Sequence, residues 1–294
     1  MKKIFKLKNN IKSFTNPRIK RLLRSPLFEL RNIREDFKSY LGIYNYPYKK
    51  IFIAGLPKSG TTWVENFFSR VPGYVIRPFS GDKKLIESFG IPENGFKYFP
   101  EKCYSCIKTH ASPTTENFKS LDKNGIEKII VIYRDPRDVA ISKYFHWSNV
   151  SNRPGKLKFV DYNSMNKNEA IKHSIMVVKR YVFEWINGWL VYSKLNPNKV
   201  SIVRYEDMYA NSFVIFKKMS QHYCLNLNDE QITLLLDLLK KNKKGFQINK
   251  VAGQKSTFRK GGSGDWKNHF TREHIKLFTT DERKMLQNFG YKDF

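Results

Sequence analysis

Short apolar runs alternate along the chain with longer segments in which apolar residues recur at helical spacing. We predict strands at 51–55, 105–109, 128–133 and 200–204, and the β-branched run 128–133 indicates a central strand. Helices are predicted over 61–70, 136–147, 207–223 and 228–241. This alternation is typical of an α/β domain with a central, mainly parallel sheet flanked by helices on both faces.

One predicted helix is much longer than the others. Its apolar residues step by three and four along one face and are Ile171, Ile175, Val178, Val182, Trp185 and Trp189. Core packing explains such a stripe better than a cofactor site does. Because no internal repeat and no low-complexity linker interrupts the pattern, we predict a single main domain.

The first 40 residues differ in composition from the rest of the chain. They hold twelve Lys and Arg against three Asp and Glu, and apolar residues recur among them at helical spacing. Such a segment either lies in a membrane interface or packs on the domain core with its basic face in water, and we favour packing. We therefore predict a basic helical arm at 1–40 and a domain at 41–294.

The chain is strongly basic, with 54 Lys and Arg, 26 Asp and Glu, and a formal net charge of +28. This charge favours phosphate-rich ligands, polyanions or an anionic membrane surface. A skewed genomic base composition, which enriches Lys and Asn, gives the same excess without a function. One bound nucleotide does not account for an excess of this size.

Three cysteines, Cys103, Cys106 and Cys224, are too few for a disulfide framework, and no second cysteine pair completes a zinc site. We interpret them as buried, reduced thiols, which indicates a reducing compartment. No apolar segment follows the basic N-terminus, and no stretch has the length of a transmembrane helix. We expect a cytoplasmic protein that is soluble or peripheral to a membrane.

The segment 55–62, GLPKSGTT, lies between the first predicted strand and its helix. Its two glycines permit backbone N–H groups and a helix N-terminus to converge on one anion. The spacing nearly matches the ATPase loop G-x-x-x-x-G-K-S/T, but Thr61 stands where that loop has Lys, and the cation is Lys58 instead. The loop therefore indicates a phosphate-like ligand with a different transfer chemistry.

Three segments together resemble a known family. PKSGTTW at 57–63, YRDPRDVAIS at 133–142 and RKGGSGDWK at 259–267 occur in the order of the three cofactor motifs of cytosolic-type sulfotransferases. These enzymes use 3′-phosphoadenosine 5′-phosphosulfate (PAPS) as sulfuryl donor and release adenosine 3′,5′-bisphosphate. The resemblance implies that the domain at 41–294 is a sulfotransferase with a P-loop-like phosphosulfate-binding loop, acting on a hydroxyl or amine of a small acceptor.

The resemblance also assigns residues to the donor. The 5′ end would be held by Lys58, Ser59, Gly60, Thr61 and Thr62. The 3′-phosphate would be held by Arg134 and Ser142, helped by Arg259, Lys260 and Gly261. Trp63 and Tyr205 would contact the adenine. Arg137 is instead expected to form a surface ion pair with Asp135 or Asp138.

Lys108-Thr109-His110 resembles the catalytic K-x-H segment of the family. His110 is therefore the candidate general base, because an imidazole titrates near neutral pH. Lys58 would neutralise the bridging oxygen as the S–O bond breaks, and Lys108 would stabilise the oxygens of the transferring group. We expect in-line transfer without a metal, since the lysines supply the positive charge.

Two other functions are compatible with parts of the sequence. One is a P-loop nucleotide kinase-like enzyme, and the other is a non-catalytic basic module for anionic membrane or nucleic acid. Neither accounts for three ordered motifs, so we expect a small-molecule acceptor, with some preference for a hydrophobic one, and no nucleic acid. Peripheral contact of residues 1–40 with an anionic membrane and the oligomeric state stay open. Aromatic residues in 74–100 and 145–165 either line the acceptor pocket or belong to the core.

Overall fold

Five parallel strands form the centre of the molecule. A computed structural model describes residues 26–81, 85–86, 89–150, 160–248, 262–292 and 294. The strands are β1 (Lys50–Gly55), β2 (Tyr74–Ile76), β3 (Tyr104–Thr109), β4 (Ile129–Tyr133) and β5 (Val200–Arg204). They pair in the order β2-β3-β1-β4-β5, and all four pairings are parallel. The predicted α/β fold is confirmed, and the sheet is wholly parallel in the part of the chain that the structure describes.

Helices follow most of the strands, as the alternating sequence pattern predicts. They are α1 (Pro26–Tyr40), α2 (Thr61–Phe68), α3 (Thr115–Lys123), α4 (Pro136–Val150), α5 (Lys167–Leu195), α6 (Tyr205–Ala210), α7 (Ser212–His222), α8 (Asp229–Ile248), α9 (Arg272–Lys276) and α10 (Thr280–Asn288), with a short 3₁₀ helix at Asp265–Asn268. Among these described helices, none combines the length and the apolar character needed to cross a membrane.

The sheet has a hydrophobic core on each face. Successive side chains of a strand point to opposite faces, so Phe52 of β1 joins one core and Ile53 joins the other. The first core is closed mainly by α5, and the second by α2, α7 and α8. Burial on both faces explains why the strands read as continuous apolar runs rather than as alternating ones.

The long helix α5 carries the predicted apolar stripe, and all six of its residues are buried. At its N-terminus the side chain of Asn166 accepts a hydrogen bond from Glu169 N, which caps the first turn. Further along, the indole Nε1 atoms of Trp185 and Trp189 donate to the carbonyl oxygen of Ala111 at 3.0 and 3.1 Å. The helix thereby fixes the backbone that follows β3.

The N-terminal helix α1 lies on the edge strand β2, but its orientation differs from the expected one. Over residues 30–40, where side chains are described, the buried residues are the polar Glu35 and Ser39, whereas Leu30, Ile33 and Phe37 are exposed. Over residues 30–40, α1 therefore contacts the domain through a polar face and not through the apolar face that we expected. Residues 1–25 of the predicted arm lie outside the described residues.

Two of the three cysteines are buried free thiols, as expected. They are Cys103 and Cys106, and burial raises the pKa of Cys103 to about 11. The expectation of burial is wrong for the third, Cys224, which lies exposed in the turn after α7 with a positive φ of 49°.

Parallel strands bring their carboxyl ends to one edge of the sheet. Gly55, Thr109 and Tyr133 end the adjacent strands β1, β3 and β4. The segments that follow these residues therefore meet at that edge, which is where open α/β sheets bind their ligands.

Candidate active site

The loop after β1 has a backbone that only certain residues tolerate. Lys58 and Gly60 both have positive φ, of 74° and 80°. A Cβ on Gly55 would lie 2.2 Å from Thr61 Cγ2 and 3.1 Å from the carbonyl oxygen of Ile132. The first glycine is therefore required for close packing and the second for its backbone conformation.

Gly60 is also the N-cap residue of α2. It has no side chain to cap the helix, so the first two amides of α2 face outward for an anion, whereas that of Trp63 donates to Gly60 O at 2.8 Å. A Cβ there would lie 2.9 Å from Met208 Cε and 2.9 Å from Tyr205 Cδ2. The neighbouring Ser59 is fully buried, and its Oγ has no hydrogen-bond partner among the described residues.

Lys108, near the end of β3, is held by two residues of α2. Its Nζ lies 2.5 Å from Glu65 Oε2 and donates to Thr62 Oγ1 at 3.0 Å. These contacts hold the ammonium group beside the loop that carries Lys58. Glu65 was not among the residues predicted for the site.

His110 comes directly after β3 and faces the start of the same loop. Its Nδ1 lies 2.5 Å from the carbonyl oxygen of Gly55. Because a carbonyl oxygen only accepts, Nδ1 carries the proton, and Nε2 carries the lone pair of the neutral ring. Behind the ring, Trp185 Nε1 donates to the backbone oxygen of His110 at 3.2 Å.

Arg134, directly after β4, joins three parts of the site. Its guanidinium donates to Lys58 O at 3.2 Å and to Gly262 O at 2.6 Å. It also lies 3.5 Å from Asp138 Oδ2 and 4.5 Å from the centre of the Tyr205 ring. Its Nε is buried and has no hydrogen-bond partner in the described part of the chain.

Asp138, on the first turn of α4, holds the C-terminal glycine segment. Its carboxylate accepts the backbone N–H groups of Gly264 at 2.7 Å and Trp266 at 2.9 Å. Burial raises the pKa of Asp138, although the charge of Arg134 and these two hydrogen bonds oppose the shift. The sequence did not predict this role.

Arg137 forms an ion pair with Asp135, as expected, but the pair is buried rather than on the surface. Two nitrogens of Arg137 contact the Asp135 carboxylate, with Nη2 at 2.8 Å. The guanidinium also lies over Trp266, 4.2 Å from the ring centre. The expectation of a solvated pair failed because the C-terminal segment covers this part of α4.

The remaining predicted residues are less closely connected. Trp63 is half-buried and packs on Phe216, with ring centres 5.3 Å apart. Ser142 is half-buried on α4, the helix that begins two residues after Arg134. The last three predicted donor contacts, Arg259, Lys260 and Gly261, lie outside the described residues.

Aromatic side chains continue from His110 away from the loop. The Phe89 ring lies 6.1 Å from the imidazole and 5.5 Å from the Tyr181 ring. Lys143 Nζ lies 5.2 Å from Tyr181 and 5.4 Å from Trp147, and burial lowers its pKa. Phe89 has a φ of 67°, which is rare for a bulky residue.

The other aromatic residues of 74–100 divide between core and surface. Phe79 and Phe96 pack edge to face with their ring centres 4.9 Å apart, and Phe79 also contacts Phe52 of the sheet. Phe99 extends this group, whereas Tyr98 is exposed. These aromatic residues were expected either to line the acceptor pocket or to belong to the core. Phe79, Phe96 and Phe99 belong to the core.

Several residues of the site could be identified only from the structure. Glu65 lies one helical turn after Thr62, so its spacing was visible in the sequence, but its pairing with Lys108 requires the β1–β3 contact. Asp138 lies inside the segment 133–142, yet its partners are more than a hundred residues away along the chain.

The chain is similar in sequence to known sulfotransferases. Mouse (Mus musculus) sulfotransferase 2A6 is 26% identical over 246 residues, covering 78% of this chain and 81% of the relative. Human (Homo sapiens) sulfotransferase 2A1 is 25% identical over 258 residues, covering 82% and 83%. Rabbit (Oryctolagus cuniculus) amine sulfotransferase is 26% identical over 267 residues, covering 82% of each chain.

Solved structures share the fold. A mouse sulfotransferase crystallised with adenosine 3′,5′-bisphosphate (PAP) has a TM-score of 0.60 at 22% identity. The alignment covers 86% of this chain and 90% of that one. A retinol dehydratase in complex with retinol and PAP has a TM-score of 0.55 at 19% identity, covering 90% and 87%. The family model for the sulfotransferase domain matches residues 48–290. This match spans the sheet and every described residue of the site, and the chain therefore belongs to the sulfotransferase family.

Proposed function

We propose that the chain transfers a sulfuryl group from PAPS to a hydroxyl or amine of a small acceptor and releases adenosine 3′,5′-bisphosphate. The observation that carries this proposal is the 2.5 Å contact between His110 Nδ1 and Gly55 O. It places a candidate base against the first residue of an anion-binding loop, so that proton transfer and anion binding share one site.

The loop after β1 fits the phosphosulfate end of the donor. Its helix N-terminus is not capped by a side chain, and the buried Ser59 Oγ has no partner among the described residues. Both features suit a ligand rich in hydrogen-bond acceptors. The residues proposed to hold this end are Lys58, Ser59, Gly60, Thr61 and Thr62.

Arg134 fits the second anionic end of the donor. Its position is fixed by Lys58 O and Gly262 O, and the Tyr205 ring lies against its guanidinium. A guanidinium held in this way is suited to charge-assisted bonds with a phosphate. We propose that Arg134 and Ser142 bind the 3′-phosphate together with Arg259, Lys260 and Gly261, and that Trp63 and Tyr205 contact the adenine.

His110 is proposed as the general base. With the proton fixed on Nδ1 by Gly55 O, the Nε2 lone pair accepts the proton of the acceptor hydroxyl or amine. Bound donor supplies the sulfuryl group and a phosphate leaving group. Lys58 and Lys108 supply positive charge for the oxygens of these groups, and Glu65 keeps Lys108 in place.

The acceptor is proposed to be a small hydrophobic molecule. Phe89 and Tyr181 present aromatic surface next to His110, where the acceptor must lie to lose its proton to Nε2. Retinol, an apolar alcohol, is bound in the retinol dehydratase structure, which has the same fold. We further propose that the enzyme works in the cytoplasm, since Cys103 and Cys106 are free buried thiols of the kind that a reducing compartment preserves.

The test is calorimetric titration of the protein with adenosine 3′,5′-bisphosphate in the presence of EDTA, with ATP and Mg²⁺ as the comparison. We expect metal-independent binding that prefers the bisphosphate and weakens at least about tenfold in Arg134→Ala. The control is Lys217→Ala, which removes a cation from an exposed pair with Asp229 and should leave affinity unchanged.

Two results would contradict the proposal. A preference for ATP that requires Mg²⁺ would indicate a kinase-like enzyme, and binding that Arg134→Ala leaves intact would place the nucleotide elsewhere. Because Arg134 is buried, thermal unfolding of the variant must accompany the titration. Where Arg134→Ala proves unfolded, Ser142→Ala, a smaller change at a half-buried position of α4, provides the second test and should also weaken binding of the bisphosphate.

A further inference from the structure

Helix α1 exposes an apolar stripe of a kind that surface helices normally bury. Four side chains at spacings of three and four are 62%, 66%, 63% and 61% exposed, and they are Leu30, Ile33, Phe37 and Leu41. Tyr40 and Ile43 extend this surface and are also more than half exposed. The exposed stripe, defined by the first four residues, is therefore continuous over about three helical turns.

The opposite, polar face of α1 attaches the helix to the domain. Glu35 is 2% exposed, and its carboxylate accepts Gly73 N at 2.9 Å and Tyr44 OH at 2.5 Å. Asp36 forms an ion pair with Arg77, the residue that follows β2. Burial alone would raise the pKa of Glu35, but its hydrogen bonds outweigh burial and lower it. Because these bonds hold the helix, the stripe cannot turn inward without breaking them.

The surroundings of the stripe are cationic. Arg34, next to Ile33, has a side chain that is 63% exposed although its Nη2 pairs with Glu35 Oε1 at 2.8 Å, and Lys38 is next to Phe37. Residues 1–25, directly before α1, contribute nine Lys and Arg and no acid. Of the three acids among residues 1–40, Glu35 and Asp36 form hydrogen bonds and ion pairs within the domain. An exposed apolar stripe with basic flanks is what an interfacial helix requires.

We propose that α1 docks this protein on an anionic lipid bilayer, with the exposed stripe among the acyl chains and the basic residues against the headgroups. The charge of this region favours a bilayer over two other partners for the stripe, which are residues 1–25 and a second copy of the chain. Covering the stripe with residues 1–25, or with the stripe of a second copy, would bring cations against cations. An anionic surface attracts the helix and the preceding segment together. This proposal does not depend on the sulfotransfer chemistry.

The test is sedimentation of the full chain with phosphatidylcholine vesicles, with and without phosphatidylserine. We expect binding only to the anionic vesicles, weakening as salt rises. The double variant Ile33→Ser/Phe37→Ser should lose at least about tenfold in partitioning, since it removes the apolar contacts. A matched control is Leu195→Ser/Leu234→Ser, which alters two exposed leucines on other helices and should bind as the wild type does.

Other results would overturn the proposal. Absence of binding to anionic vesicles would do so, and so would equal binding by the double variant, which would leave charge alone as the cause. Thermal unfolding and light scattering without lipid complete the test. A lower Tm in the double variant, or conversion of a dimer to a monomer, would show that the stripe is already covered by this chain or by a second copy. We expect both measurements to be unchanged, together with the affinity for adenosine 3′,5′-bisphosphate.

Discussion

At the scale of single residues, the tautomer of His110 gives the clearest prediction. Gly55 O fixes the proton on Nδ1, so Nε2 is the basic atom of the ring. We expect His110→Ala to lower the rate of sulfuryl transfer by about 10²–10⁴-fold, the usual contribution of a general base. Affinity for adenosine 3′,5′-bisphosphate should stay within about twofold, because the proposed role of His110 is to take the acceptor's proton and not to hold the nucleotide.

Steady-state kinetics with PAPS and a panel of hydrophobic alcohols and amines, beside calorimetry, measures both quantities. His173→Ala is the matched control, since His173 pairs with Tyr162 and lies outside the site. A His110→Ala enzyme with wild-type transfer rates would refute the role of His110 as base.

Glu65 shows why a sequence motif does not identify every residue of a site. Its carboxylate lies 2.5 Å from Lys108 Nζ and limits where that ammonium can point. A motif identifies a Lys such as Lys108 as an anion-binding group. The acidic residue that pairs with it comes from another element of the fold, and residue spacing along the chain does not reveal that partner. Glu65 is therefore a positioning residue for Lys108, reached through the pairing of β1 with β3.

At the scale of elements, the close packing of the loop against α6 makes a second prediction. Gly60→Ala would place a Cβ 2.9 Å from both Met208 and Tyr205, at a φ of 80°. Gly125 also has a positive φ, of 64°, but a Cβ there meets nothing within 4 Å. Both alanine variants share the backbone strain, of about 1–2 kcal/mol, and only Gly60→Ala adds the clash.

We therefore expect Gly60→Ala to lose at least about tenfold in affinity for adenosine 3′,5′-bisphosphate, because the clash displaces the loop or Tyr205. Gly125→Ala should lower the free energy of unfolding by about 1–2 kcal/mol and keep its nucleotide affinity. Calorimetry and chemical denaturation of both variants measure these effects. Equal loss of affinity in the two variants would mean that general destabilisation, and not the loop, is responsible.

The elements that the sequence predicted best are those with strong periodicity. The four predicted strands agree with the observed ones to within about one residue, since buried parallel strands give continuous β-branched runs. The edge strand β2 was missed because Tyr74–Ile76 is too short to show a period. For α1 the apolar stripe was visible, but periodicity does not tell which face meets the domain, and that face is set by Glu35 and Asp36.

At the scale of the whole molecule, the candidate active site and the proposed membrane-binding helix α1 lie on different parts of the sheet. The candidate active site lies at the carboxyl ends of β1, β3 and β4, whereas α1 lies on the edge strand β2. A net charge of +28 exceeds what one nucleotide needs, and nine of its cations precede α1 without any acid. A basic N-terminal segment that adds membrane affinity gives part of this excess a physical role.

Stability of the whole molecule should fall in mild acid through His222, at the end of α7. Burial, followed by the charge of Lys128, lowers the pKa of His222 to about 4, from about 6.5 in an unfolded chain. Between these two values the unfolded state binds the proton and the folded state does not, so stability falls as pH drops through that window. Above the unfolded value the residue has no such effect.

Thermal unfolding at about pH 7 and about pH 5 tests this linkage in the wild type and in His222→Gln. Carboxylates also titrate toward the acid end, so the informative quantity is the difference between the two proteins. We expect the Tm of the wild type to fall more than that of the variant, because glutamine takes up no proton on unfolding. Parallel falls would show that His222 titrates alike in the folded and unfolded states, and the loss of stability in acid would then arise from the carboxylates and the other histidines.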